Sequence, residues 1–206
     1  MPSHSRQPRA PFAAMALCVV SLAGTPQFAG ADASAHDAAA LLQALNAELL
    51  AHESATETLQ HWCVDHRLAA SPRVNAVSLH TAPIPATAEQ RELLQVGADE
   101  PLRYRHVQLR CSSVVLAEAE NWYVPSRLTA AMNHELDTSE TPFGIVVRAL
   151  DFHRRRLEAR TLWSPPQPLP NAVLEHRALL LLPDGTPFSL VDETYMRTVL
   201  GPVAAP

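Results

Sequence analysis

The 206-residue sequence contains no lysine; all 16 of its basic side chains are arginines. That absence excludes Schiff-base and pyridoxal-phosphate chemistry, the P-loop lysine and the kinase strand lysine, all of which need a primary amine. Glycine is scarce, with 6 in all, and no G-x-G-x-x-G occurs, which argues against a dinucleotide-binding phosphate cradle. No H-E-x-x-H or C-x-x-C occurs either. His61 and His66 stand five apart and do not stack on one helix face, so neither a metal nor another cofactor is expected. No stretch beyond the N-terminal region runs to 18 continuous apolar residues, so no stable membrane anchor is expected after that region. The formal charge of −5 argues against a nucleic-acid partner. What is present is a 47% hydrophobic, 18% charged chain, the balance of one folded globular domain.

The first 31 residues read as a secretory signal peptide. Arg6 and Arg9 give a cationic start, Phe12 to Ala23 an apolar run, and Phe28-Ala29-Gly30-Ala31 a small-residue cleavage region. Cleavage after Ala31 leaves a single domain over residues 32–206, periplasmic or secreted. Cys18 goes with the signal, and Cys63 and Cys111 remain. In an oxidising compartment they are expected to pair; the alternative is two buried thiols.

Helical spacing of Leu41, Leu42, Leu45, Leu49 and Leu50 predicts a helix over 37–50. Ser54-Ala55-Thr56-Glu57 reads as a capping box opening a second helix with Leu59, Trp62 and Cys63 buried. Alternation predicts a strand over Val74 to Leu79 and a β-hairpin of Arg103–Cys111 with Val114–Val124. A short helix or turn is expected at Arg91–Leu94, a helix at Arg127–Leu136, and a helical turn then a strand between Ile145 and Trp163. A last hairpin turns at Pro183-Asp184-Gly185. Helices followed by a run of strands predict an α+β fold with an antiparallel sheet flanked by helices. The run His153-Arg154-Arg155-Arg156 reads as a solvated strand edge, and Trp122 and Trp163 as core.

Five short stretches, in order over about residues 45–200, resemble the chorismate lyase family. They are Leu49 to Thr56, Arg103-Tyr104-Arg105, Val124-Pro125, Thr141-Pro142-Phe143-Gly144, and Gly185 through Glu193-Thr194-Tyr195. The resemblance implies an antiparallel sheet whose site is enclosed beneath helical flaps. It implies elimination of pyruvate from chorismate to give 4-hydroxybenzoate. Arg105 would take the ring carboxylate through its planar fork, and Glu193 would face the far end of the ring as the second catalytic residue. Backbone N–H groups at Ala55 and Thr56 would offer further anion contacts. One residue more than the family pattern separates Arg105 from Pro125. Either a bulge absorbs it, or His106 takes the place of Arg105.

Ala55 stands where the family has methionine, and Phe143 where it has leucine, a larger ring that narrows the pocket. Three readings follow: a lyase, an exported non-catalytic module that binds a small aromatic or cyclic carboxylate, and an interaction protein with a vestigial pocket.

Overall fold

The computed structural model describes residues 29–201, with side chains from residue 34. Most of the expected signal segment therefore lies outside the described residues. Six strands form one antiparallel sheet in the order β1-β2-β3-β6-β5-β4: β1 (Val74–Ser78), β2 (Arg103–Cys111), β3 (Val114–Tyr123), β4 (His153–Thr161), β5 (Ala172–Leu181) and β6 (Pro187–Met196). Helix α1 (Ala29–Ala51), α2 (Ala55–Asp65) and the short α5 (Phe143–Val146) lie over one face. Helix α3 (Ala88–Leu93) covers the other, where Leu94 packs with Trp122, Leu179 and Leu190. The fold is α+β, as the order of elements predicts.

Strand alternation sorts these side chains. Trp122 and Leu190 face α3, whereas Asn121, Tyr123, Val191 and Glu193 face the side carrying α1 and α2. On that side the core joins Leu42, Leu45 and Leu49 of α1, Leu59 and Trp62 of α2, and Leu109, Leu116, Leu174 and Tyr195 of the sheet. Trp163 is buried as well.

Ser54 caps α2 by accepting the Glu57 N–H at 3.2 Å. The reciprocal half of the expected box is replaced, because the Glu57 carboxylate pairs instead with Arg148 at 2.9 Å. A complete capping box stands at Thr87 and Gln90, which starts α3 earlier than the sequence reading placed it. The expected helix Arg127–Leu136 is also corrected. Arg127 ends a 3-10 turn (Pro125–Arg127), its guanidinium held by the carbonyls of Leu94 and Gln95. Thr129 then caps a separate helix, α4 (Ala130–Thr138).

Cys63 of α2 and Cys111 at the end of β2 form a disulfide with Cα atoms 6.0 Å apart and a sequence separation of 48. For a loop of that length the chain-entropy relation gives about 4 kcal/mol. The paired replacement Cys63→Ala with Cys111→Ala should lower the denaturation free energy by up to that amount, measured by urea unfolding against the oxidised chain. An unchanged midpoint would show that the bond does not constrain the unfolded chain.

Candidate functional site

A cavity opens between the sheet, the N-terminus of α2 and the flap formed by Thr141–Gly144 and α5. Arg105, Val107 and Leu109 reach it from β2, Ala119 and Asn121 from β3, Ala55 and Thr56 from α2, Phe143 and Gly144 from the flap, and Phe152 and Arg154 from the start of β4. The open space is about 50 Å³. Phe143 closes one side, packed on Tyr123 at 5.4 Å and stacked with Phe188 at 6.3 Å between centroids. The flap can lie this close because residue 144 is glycine. A Cβ there would sit 3.1 Å from Ser54 Oγ and 3.2 Å from Thr56 Oγ1. A wider, open groove of about 940 Å³ runs along the outer side of the flap, lined by Thr56, His61, Arg73, Glu140 and Arg148 among others.

Arg105 is the cation of the cavity. β2 and β3 pair with a register shift after Leu109, so that Leu109 faces Ala117 while Arg110 faces Val115. This bulge takes up the extra residue between Arg105 and Pro125 and leaves Arg105 on the cavity face. His106 points to the opposite face, 3.2 Å from Thr81 Oγ1 and 4.0 Å from Glu118. The Arg105 guanidinium has little to hold it. Nη1 is buried without a hydrogen-bond partner, and Nη2 reaches the Thr141 carbonyl only at 3.5 Å. Burial pushes its pKa down, opposed by the charges of Tyr123 and Asp137. Asp137 itself is bonded to Arg103 at 2.5 Å. An arginine stays protonated in a protein, so the cavity contains a partly desolvated positive charge without a counter-ion.

Two further donor groups sit beside it. Asn121 lies directly opposite Arg105 across the β2–β3 ladder and is 5% exposed. Its Oδ1 accepts from Ser189 at 2.6 Å, which leaves Nδ2 buried and unpartnered. Ala55 and Thr56 open α2, where backbone N–H groups have no partner within the helix and the helix dipole favours negative charge.

Glu193 occupies a different position. It does not line this cavity; its carboxylate binds Arg154 at 2.5 Å and accepts the Tyr195 hydroxyl at 2.8 Å. Burial lowers the Arg154 pKa, but the charge and hydrogen bond of Glu193, with the charges of Tyr195 and Glu53, together outweigh it and the net shift is upward. The reading of His153–Arg156 as a solvated edge is therefore corrected at one position. Arg154 turns inward and is 7% exposed, because the carboxylate on β6 supplies the charge that makes its burial tolerable. Its backbone N–H donates to Glu53, at the cavity rim. The structure thus brings Arg105, Ala55, Thr56 and Phe143 to one cavity and leaves Glu193 behind Arg154. Asn121 is a buried polar group that the sequence reading did not single out, and Arg154 is read there only as part of a basic run.

The Glu193 cluster continues to α1. His176 faces Glu193 across the β5–β6 ladder, stacks edge-on against Tyr195 at 5.5 Å, and bonds Asn46 of α1 at 2.8 Å. Burial lowers its pKa below 6.5, with Glu193 raising it and Arg154 lowering it further. A folded pKa below the unfolded value means the neutral ring favours the fold. That contribution is present above about pH 6.5 and is lost as pH falls through the folded value. The urea midpoint should therefore drop between about pH 7.5 and about pH 5, and drop less in His176→Gln. An equal drop in both would remove His176 from the acid sensitivity. Among the described residues no group of three or more His, Cys, Asp or Glu side chains is placed to hold a metal ion, and no helix is long and apolar enough to cross a membrane.

An antiparallel sheet with a flap-covered cavity over one face defines a chorismate lyase-like fold. No family model matches the chain. It is 45% identical over 203 aligned positions to the uncharacterized protein y4mC of Sinorhizobium fredii (strain NBRC 101917 / NGR234), covering 89% of this chain and 85% of that one. The chain belongs to the same family as y4mC. Among solved structures it is similar to PhnF from Mycobacterium smegmatis, with 10% identity, a TM-score of 0.50, and coverage of 70% of this chain and 64% of that one. It thus spans less than two thirds of PhnF. It is also similar to the ligand-binding domain of a proposed GntR-family transcriptional regulator from Bordetella bronchiseptica, at 15% identity and a TM-score of 0.45, over 62% of this chain and 85% of that one. At these identities the likeness is one of fold alone.

Proposed function

We propose that this protein binds a small carboxylic acid in the Arg105 cavity and that it does so without turning it over. The observation that carries the reading is the buried, unpartnered Nη1 of Arg105. An uncompensated buried charge is costly, and a carboxylate is the ligand whose geometry and charge complete an arginine fork. The N–H groups opening α2 favour the same sign of ligand. Elimination of pyruvate from chorismate would also need a group in the cavity that exchanges a proton. Glu193, the residue the family resemblance assigns to that place, has its carboxylate engaged by Arg154 and Tyr195. The signal-like N-terminus and the disulfide support export, where a binder has use and a chorismate enzyme would seldom meet its substrate.

The test is a thermal-shift titration of the chain with short and cyclic carboxylates, beside incubation with chorismate. A ligand at about 100 times its Kd should add about 2.7 kcal/mol of stability, with no 4-hydroxybenzoate released from chorismate. Steady release of 4-hydroxybenzoate and pyruvate would replace the binding reading with a lyase.

A further inference from the structure

We propose that the acid held in this cavity has only one or two carbons, formate or acetate in size, and that Phe143 is the residue that sets this limit. The inference rests on the carboxylate reading above. It adds the size of the ligand and the side chain that selects it.

The space itself gives the size. A water molecule needs about 10–15 Å³ of cavity, and benzene occupies about 150 Å³. At those ratios the space of about 50 Å³ beside Arg105 holds roughly two to five non-hydrogen atoms. Formate and acetate fall within that range, and any acid built on a ring exceeds it. Such a small acid is little more than its carboxylate. It therefore spends the space on the atoms that can meet Arg105 Nη1 and Asn121 Nδ2, both buried without a partner. Glu53 also lines the cavity, but its carboxylate accepts the Arg154 backbone N–H and its charge acts on the Arg154 guanidinium.

Phe143 is held where it closes the cavity. Its ring is backed by Tyr123 at 5.4 Å and by Phe188 at 6.3 Å between centroids. Both of those rings are buried. Phe152, on the next wall, stands edge-on to Phe188 at 6.1 Å. The flap is rooted in the same apolar cluster through Val146 and Val147. The way out passes Glu53, Ser54 and Gly144 into a groove lined mainly by polar side chains, His52, Glu57, Arg148 and Asp151 among them. A longer hydrocarbon tail thus meets packed rings inward and polar groups outward, and overfilling a packed space is penalised.

The experiment is titration of the purified chain with formate, acetate, butanoate and benzoate at constant ionic strength, followed by NMR. Formate or acetate should bind tightest, at least about tenfold tighter than butanoate, with benzoate weakest. Phe143→Ala deletes a phenyl ring from the wall, and an apolar hole left by such a truncation takes up a benzene ring. In that variant benzoate should gain at least about tenfold and overtake acetate. Phe143→Leu should move the preference the same way by less, and it serves if the alanine variant does not fold. The wild-type order needs no variant at all. Affinity that rises from acetate to butanoate, or benzoate binding tightest to wild type, would overturn the size limit and leave the carboxylate reading in place. A folded Phe143→Ala that still binds benzoate weakest would overturn the role of Phe143. If none of the four acids binds wild type, both readings fall.

Discussion

Replacing Arg154 by alanine should destabilise the protein by about 3–5 kcal/mol, the usual cost of breaking a buried ion pair from one side. The Arg154 and Glu193 side chains are 4% and 7% exposed, and their charged groups meet at 2.5 Å. Removing the guanidinium leaves a carboxylate in the core with only the Tyr195 hydroxyl and neighbouring dipoles to hold it. The same physics fixes the rescue. Arg154→Leu with Glu193→Leu removes both charges, and buried pairs exchanged for apolar groups of similar volume are often neutral or better. The double variant should recover most of the loss in urea unfolding at neutral pH. A single variant within 1 kcal/mol of wild type, on the order of a surface change, would mean the pair is not buried in solution.

Arg105 predicts the opposite sign for stability and a larger effect on binding. Its guanidinium is bonded to no acid, so its desolvation is offset only in part, by the charges of Tyr123 and Asp137, in the empty protein. Arg105→Met keeps the length and apolar stem of the side chain and drops the charge. The empty variant should be more stable than wild type, by about 1 kcal/mol for a partly buried group. Its affinity for carboxylates should fall by at least about 100-fold, as when one member of a buried charge pair is truncated. Stability and affinity moving in opposite directions is the signature of a residue retained for a ligand rather than for the fold. A variant that is both weaker in binding and markedly less stable would mark Arg105 as structural.

The sheet was legible because its strands alternate cleanly. Arg105, Val107, Leu109 and Cys111 share a face in the sequence pattern, and they share it in the structure. Ser54 and the prolines at 125 and 142 punctuate the chain where helices and turns begin. The disulfide is one of the two outcomes expected for the two cysteines outside the proposed signal, the other being two buried thiols. The cavity was legible only in part. Arg105 and the flap could be found because local motifs mark them. Asn121 could not, since its importance depends on the register that sets it opposite Arg105 and on Ser189, 68 residues away, which takes its carbonyl. Arg154 was hidden among neighbouring arginines, of which only one has a buried carboxylate to meet. A signal existed: Glu193 lies on a central strand, and a buried acid requires a cation from somewhere. The partner's identity, however, is set by β4 and β6 converging on opposite sides of β5, a tertiary fact. Glu193 itself shows the limit of reasoning by resemblance. Its place on the last strand was read correctly, but its charge is spent on a neighbour that the motif does not mention.

The most direct measurement is a crystal structure of the chain grown with a small carboxylic acid that raises its melting temperature. The account predicts a carboxylate oxygen about 2.7–2.9 Å from Arg105 Nη1, the distance of a charge-assisted hydrogen bond, with Arg154 still bonded to Glu193. Acid bound instead at Arg73 in the outer groove, or an occupied cavity in which Arg105 Nη1 remains unpaired, would contradict it.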